Sequence, residues 1–425
     1  MEKIIINGGK ELHGDVYIHG MKNAALPIIF ATILTADKCV IENVPNVSDI
    51  TMSFEILAAM GAKITHLDDS TVEIDTTELS GGNSPFDKVS RMRGSTYLLG
   101  AELARFRKSK VGFPGGCNFG KRPIDMHIKG FEALGATVSQ DDNYVYAEAP
   151  EGLRGNSIYF DIVSVGATVN LMLAATLADG LTVIENAAKE PHIVDLANFL
   201  NTCGANIKGA GTGIIKIQGV KKLHGCTYDI IPDMIEAGTY MTAVAATGGE
   251  VCIRNVIPKH LEIISAKLIE MGVEIKVFDD YLTVRSNGQL KPTNIQTLPY
   301  PGFPTDMHPQ FSTLLSVANG VSTVSETIWK NRFKYVHELE KMGASVEVNE
   351  PNATFTGVEK LHGAQVRSVD LRAGAAIVIA GLIAEGTTEV IDISTIERGY
   401  LDIVGKLRDL GADIRKVIID ENAFA

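Results

Sequence analysis

Leu57-Ala-Ala-Met-Gly-Ala-Lys-Ile64 decides the fold of this chain, because the same stretch returns five more times. The copies are Glu132-Ala-Leu-Gly-Ala-Thr-Val138, Leu200-Asn-Thr-Cys-Gly-Ala-Asn-Ile207, Leu268-Ile-Glu-Met-Gly-Val-Glu-Ile275, Leu339-Glu-Lys-Met-Gly-Ala-Ser-Val346 and Leu407-Arg-Asp-Leu-Gly-Ala-Asp-Ile414. Their glycines, Gly61, Gly135, Gly204, Gly272, Gly343 and Gly411, are spaced 74, 69, 68, 71 and 68 residues apart. A helix commonly closes on a left-handed residue that glycine adopts without strain, after which the chain can turn into a strand. Each copy therefore reads helix, glycine cap, strand, and a period this regular marks a repeat architecture.

A second repeated element precedes the caps. Asn23–Thr32, Gly166–Ala175, Gly238–Ala246 and Ala373–Gly381 are small-residue, largely apolar helices with no polar face, which is the pattern of helices buried all round. Glycine turns and β-rich runs follow, as in Asp179-Gly-Leu-Thr-Val-Ile-Glu-Asn186 and Glu385-Gly-Thr-Thr-Glu-Val-Ile-Asp392. The unit is thus βαβαββ, about 70 residues long, with helices inside and sheets outside. A chain of 425 residues exceeds the roughly 250–300 that one hydrophobic core accommodates, so six units divide three and three between two domains. The active site is then expected in the cleft where domains meet. A solenoid or clamp that only binds has the same periodicity, so function must be read from departures from the repeat.

Composition narrows the classes. Hydrophobic residues at 45% and charged residues at 21% describe a globular protein, and a formal charge of −12 disfavours nucleic acid and anionic membranes as partners. The apolar run opening the chain is too short for a signal peptide, and the longest such stretch, Ala373 to Ala384, is short of the ~20 residues a membrane helix needs. A soluble, cytoplasmic protein is expected. The five cysteines are scattered with no C-x-x-C pair, which favours neither a disulfide framework nor zinc, and Cys39, Cys203, Cys226 and Cys252 read as buried or idle thiols in apolar stretches.

Cys117 is different. It sits in Phe113-Pro-Gly-Gly-Cys-Asn-Phe-Gly-Lys-Arg-Pro-Ile-Asp125, which interrupts the repeat where other copies have a plain turn. Lys121 and Arg122 beside it favour a thiolate and attract phosphate, so Cys117 is a candidate nucleophile or acid. Lys22 and Asn23 open a buried helix, where free backbone N–H groups favour an anion, although Lys22 could instead be a surface lysine. Asp306, in Tyr300-Pro-Gly-Phe-Pro-Thr-Asp-Met307, is a carboxylate aimed from irregular backbone or an ordinary helix cap. Arg93, Arg332, Arg372 and Arg398 occupy repeat junctions and suit bidentate binding of carboxylate or phosphate, or else lie on the surface.

Met21-Lys-Asn-Ala-Ala-Leu-Pro27, the Pro114–Pro123 loop, Ser164-Val-Gly-Ala-Thr168, Phe303-Pro-Thr-Asp-Met307, Asn331-Arg-Phe333 and Glu397-Arg-Gly-Tyr400 together give the chain a resemblance to the UDP-N-acetylglucosamine 1-carboxyvinyltransferases over nearly its whole length. The resemblance implies a two-domain inside-out α/β barrel, the enolpyruvate transferase fold. One three-repeat domain would span 22–231 with the Cys117 loop, and the other 1–21 plus 232–425 with Asp306, Arg332, Arg372 and Arg398. It implies transfer of the enolpyruvyl group of phosphoenolpyruvate to the 3-hydroxyl of UDP-N-acetylglucosamine through a tetrahedral ketal, with phosphate released. It needs no cofactor or metal. This step begins peptidoglycan precursor synthesis, and with it come cell-wall biogenesis, cell shape and the division cycle. By the same resemblance Cys117 protonates C3, can carry a covalent pyruvate adduct and is the target of fosfomycin. Asp306 takes the hydroxyl proton or assists elimination, and Lys22 and Arg398 complete the catalytic set. Phosphoenolpyruvate would be held by Lys22, Asn23, Arg122, Arg332, Arg372 and Arg398. The sugar nucleotide would contact Asn23, Arg93, Arg122, Pro123, Ile124, Asp125, Met126, Ile162, Val163, Ser164, Val165, Asp306 and Ile328. Two alternatives stand beside this: a 5-enolpyruvylshikimate-3-phosphate synthase-like transferase, whose Gly-Asn-Ala-Gly-Thr signature is absent, and a non-catalytic scaffold.

Overall fold

All six signature glycines close their helices in one geometry. In the computed structural model, which describes residues 2–81, 84–113 and 124–418, their φ angles lie between +91° and +105°. At the first cap the Gly61 amide donates to the Ala58 carbonyl and the Ala62 amide to the Leu57 carbonyl; the same pair recurs at Gly135, Gly204, Gly272, Gly343 and Gly411. This is the Schellman arrangement, which satisfies carbonyls that the helix end leaves over.

The chain separates into two compact units, Met1–His19 with Pro232–Ala425, and Gly20–Ile231. In the continuous unit, the repeat Ser157–Gln218 shows the plan. Strand Ser157–Tyr159 runs parallel to Leu181–Glu185, which pairs antiparallel with Ile214–Gln218, which pairs in turn with Asn206–Lys208. The parallel step is crossed by helix Val165–Thr176 and the next connection by helix Pro191–Thr202. A second sheet closes the unit on itself, since Thr227–Asp229 joins Lys38–Glu42 in parallel. The third has three strands among the described residues, Lys108–Gly112, Tyr144–Glu148 and Thr137–Gln140.

Among the described residues the discontinuous unit also has three sheets, and the chain's beginning supplies two of their strands. Glu2–Asn7 lies antiparallel between Thr387–Ile391 and Asp413–Ile418, and Leu12–Tyr17 runs parallel to Gly249–Arg254. The mixed α/β architecture with helices inside sheets is the expected one.

Among the described residues, six inner helices fill the two units. Four follow the expected apolar stretches: Lys22–Ala31, Val165–Thr176, Met234–Thr247 and Leu371–Ile383, the last buried continuously from Leu371 to Leu382. The other two, Tyr97–Phe106 and His308–Val317, carry polar residues that hid them from the apolar pattern. Several of these buried polar groups find partners in other elements. Ser312 Oγ meets Tyr335 Oη at 2.6 Å, Thr313 donates to the Ala376 carbonyl at 3.0 Å, and Gln310 Nε2 donates to Thr239 Oγ1 and Tyr400 Oη, each at 3.2 Å. Where helices Tyr97–Phe106 and Val165–Thr176 cross, Gly100 is a steric requirement: a Cβ there would stand 2.3 Å from the Asn170 carbonyl oxygen. The Gly100 amide donates to Asn170 Oδ1 at the same point.

Of the four thiols read as buried or idle, Cys39 and Cys203 are buried, while Cys226, just ahead of strand Thr227–Asp229, and Cys252, within strand Gly249–Arg254, are partly exposed. No helix of the described residues is long and apolar enough to cross a membrane.

Candidate active site

In the discontinuous unit three predicted residues converge. Asp306 lies just ahead of helix His308–Val317, and its Oδ2 accepts from Arg372 Nε at 3.1 Å. Its other oxygen is 3.6 Å from an Arg332 guanidinium nitrogen, and Arg332 reaches Asp370 at 3.7 Å. The arginines are interior rather than superficial: side-chain exposure is 4% for Arg332 and 3% for Arg372, against 32% for Asp306. Two buried cations thus aim one carboxyl toward solvent. Burial opposes the charge on Arg372, but Tyr400, Asp306 and Asp233 outweigh it and hold the guanidinium protonated. The Tyr400 ring lies 5.4 Å from the Arg372 guanidinium carbon.

The helix carrying Arg372 begins with a side-chain cap, because Asp370 Oδ1 accepts from the Arg372 and Ala373 amides, each at 2.9 Å. Asp233 caps helix Met234–Thr247 in the same manner, and Ser164 caps Val165–Thr176 through the Ala167 amide. Ser164, Asp233 and Asp370 therefore occupy one position of the repeat. Aligning the buried helices would have revealed the two aspartates, which the sequence reading did not single out. Arg398 is half-buried at the end of the short helix Ile393–Arg398, two residues before Tyr400.

Glu326 is a further residue the sequence did not mark. It is buried, and its carboxyl accepts from the Ile328 amide at 2.7 Å, the Trp329 amide at 2.9 Å and Thr305 Oγ1 at 2.8 Å. It thereby ties the turn carrying Ile328 to the residue preceding Asp306. His308 Nε2 stands 3.4 Å from the same carboxyl, and burial first, then Arg332, hold this imidazole well below its ordinary pKa and neutral.

In the continuous unit Lys22 is no surface lysine. It opens helix Lys22–Ala31, and its Nζ donates to Asp49 Oδ2 at 3.0 Å with both side chains about nine-tenths buried. Asn23 follows, half-buried. Arg93 begins a short helical turn, and the adjoining Gly94 packs against Leu26 of that first helix. Ile124 to Met126 and Ile162 to Val165, far apart in sequence, lie at the starts of helices Asp125–Ala133 and Val165–Thr176, which the structure packs together. A Cβ on Gly166 would stand 3.2 Å from the His127 ring, and one on Gly130 would stand 2.5 Å from Leu171. His127 Nδ1 is 2.9 Å from Asn170 Nδ2, and burial, then Arg93, lower its pKa to about 4. Two helix N-termini and Arg93 together make a surface suited to a phosphate or other anion. Cys117, Arg122 and Pro123 lie outside the described residues. A hollow of about 440 Å³ lined by Phe54, His66 and Val72 contains none of the predicted site residues.

The sheet-and-helix plan and the arginine-held aspartate define a class of protein. The sequence pattern of the EPSP synthase family (3-phosphoshikimate 1-carboxyvinyltransferase) matches residues 6–407, and the chain belongs to that family of transferase enzymes. Among solved structures it resembles the enolpyruvyl transferase NikO from Streptomyces tendae, with a TM-score of 0.89 at 26% identity over 98% of this chain and 99% of that one. EPSP synthase from Acinetobacter baumannii shares the fold, with a TM-score of 0.75 at 18% identity, over 98% of this chain and 100% of that one. The particular branch follows from curated relatives. The chain is 57% identical to UDP-N-acetylglucosamine 1-carboxyvinyltransferase 2 of Clostridium acetobutylicum, over 98% of this chain and 99% of that protein. It is 56% identical to UDP-N-acetylglucosamine 1-carboxyvinyltransferase of Clostridium botulinum, over 97% and 99%. It falls among the UDP-N-acetylglucosamine 1-carboxyvinyltransferases.

Proposed function

We propose that this enzyme transfers the enolpyruvyl group of phosphoenolpyruvate to the 3-hydroxyl of UDP-N-acetylglucosamine, releasing phosphate in the first committed step of peptidoglycan precursor synthesis in the cytoplasm. The observation that carries this reading is Asp306, a partly exposed carboxyl fixed by two buried arginines.

Addition forms a bond between the sugar oxygen and C2 of phosphoenolpyruvate while a proton reaches C3. Elimination then breaks the C2–O bond to phosphate and returns a proton from C3. Each half needs a placed acid and base. Asp306 accepts the hydroxyl proton, and Cys117 delivers the proton to C3. Lys22, Arg122, Arg332, Arg372 and Arg398 offset the carboxylate and phosphate charges, which a chain of net −12 can do only through a local concentration of cations, and Asn23 adds hydrogen bonds to the same substrate. The nucleotide is received by Asn23, Arg93, Arg122 to Met126, Ile162 to Val165, Asp306 and Ile328.

The test measures phosphate release from phosphoenolpyruvate with UDP-N-acetylglucosamine, using shikimate-3-phosphate as the control acceptor. Release with the sugar nucleotide alone is expected; release with shikimate-3-phosphate, or with neither, overturns the proposal. The Cys117→Ser variant should no longer be labelled by fosfomycin, and undiminished labelling removes Cys117 from its role.

A further inference from the structure

Three cysteines that the reaction does not use meet at one point of the continuous unit. Cys39 lies in strand Lys38–Glu42, Cys203 is the C-terminal cap of helix Pro191–Thr202, and Cys226 directly precedes strand Thr227–Asp229. They are separated by 164 and 23 residues of sequence, yet their sulfurs all lie within 4.8 Å of one another. The Cys203 and Cys226 sulfurs are 3.2 Å apart.

We propose that these three sulfurs form a binding site for a soft divalent d10 cation of the zinc and cadmium type. Zinc–thiolate bonds of ~2.3 Å at a tetrahedral centre place sulfurs roughly 3.8 Å apart, within the range found here. A thiolate-only donor set selects soft metals over magnesium or calcium. Two of the sulfurs are buried and Cys226 is half-exposed, which leaves one approach for the ion and for a water molecule as fourth ligand.

The frame is rigid enough to hold the donors before the metal arrives. The Val40 amide donates to the Cys226 carbonyl at 2.9 Å, tying the Cys39 strand to Cys226. Gly225 permits this contact, since a Cβ there would stand 1.8 Å from the Lys38 carbonyl oxygen. The His224 amide donates to the Cys203 carbonyl, fixing the third donor to the same segment. Binding releases three protons to solvent as three metal–sulfur bonds form, leaving a net site charge of −1. A disulfide would employ two of the sulfurs and leave the convergence of the third without a role.

The experiment uses the full chain, reduced and stripped of metal, titrated with Cd(II). Bound metal is counted by elemental analysis, and the thiolate-to-cadmium charge-transfer absorbance is followed. One ion per chain is expected, with Cys39, Cys203 and Cys226 protected from an alkylating reagent and identified by peptide mass. Cys39→Ser, Cys203→Ser and Cys226→Ser should each weaken binding at least tenfold, and Cys252→Ser should leave it unchanged. Circular dichroism of each variant separates lost ligation from lost folding, and the protection pattern of the unmutated chain tests the site even if a variant fails to fold. No uptake, binding lost with Cys252→Ser or Cys117→Ser instead, or a chain two hydrogens lighter with Cys203 joined to Cys226, overturns the proposal.

Discussion

Replacing Glu326 tests how the discontinuous unit holds its site. The carboxyl, with a side chain only 1% exposed, accepts from two backbone amides and the Thr305 hydroxyl, all at 2.7–2.9 Å. Glu326→Ala leaves three polar groups buried without their acceptor, and each such group costs about 1–3 kcal/mol. Some relax toward solvent, since Ile328 and Trp329 are half-buried, so a loss of about 3–6 kcal/mol is expected. Glu326→Gln keeps one acceptor oxygen for the amides, and its NH2 can donate to Thr305, so it should cost roughly half as much or less. The measurement is denaturant unfolding followed by circular dichroism, comparing midpoints at constant m-value. Because Glu326 ties Ile328 to the residue before Asp306, the Gln variant should raise KM for the sugar nucleotide more than it lowers kcat. An Ala variant within about 0.5 kcal/mol of the parent would refute the network.

Three further outcomes follow from separate features. Asp306→Asn should cut kcat by about 10²–10⁴ if this carboxyl moves the hydroxyl proton, while substrate binding measured by calorimetry persists; a loss under fivefold would remove it from the chemistry. Gly135→Ala, at φ +91° with no atom within 4 Å of the added methyl, isolates the backbone cost of a helix cap and should destabilise by about 1 kcal/mol; a neutral result would show that the cap tolerates an L-residue there. His127 titrates near 4 when folded against about 6.5 unfolded, so stability present above pH 6.5 is lost as pH falls toward 4, by about 3 kcal/mol. Burial raises Asp195 to about 6, which acts in the opposite direction across much of this window, so the quantity to measure is the difference between the parent and His127→Gln. If both lose stability in parallel between pH 7 and 4, His127 is not the responsible group.

Short-range rules made much of this protein legible in its sequence. The Schellman cap is a local event involving a left-handed residue and two amides, so six glycines at a steady spacing announced six helix ends and the period of the fold. Four inner helices were visible because burial all round requires apolar residues, while Tyr97–Phe106 and His308–Val317 were hidden because they carry polar residues, of which Gln310 and Ser312 find partners in other elements. Sequence could place Lys22, Arg332 and Arg372 at junctions but could not choose between surface and interior. Burial is a property of what packs against a residue, and Asp49, Asp306 and Asp370 come from elsewhere in the chain to make these cations tolerable inside. Glu326 carried no motif, since its role arises from the turn it satisfies. The three cysteines looked unrelated for the same reason: their meeting depends on Thr227–Asp229 pairing with Lys38–Glu42, and no local spacing rule encodes the partner of a strand.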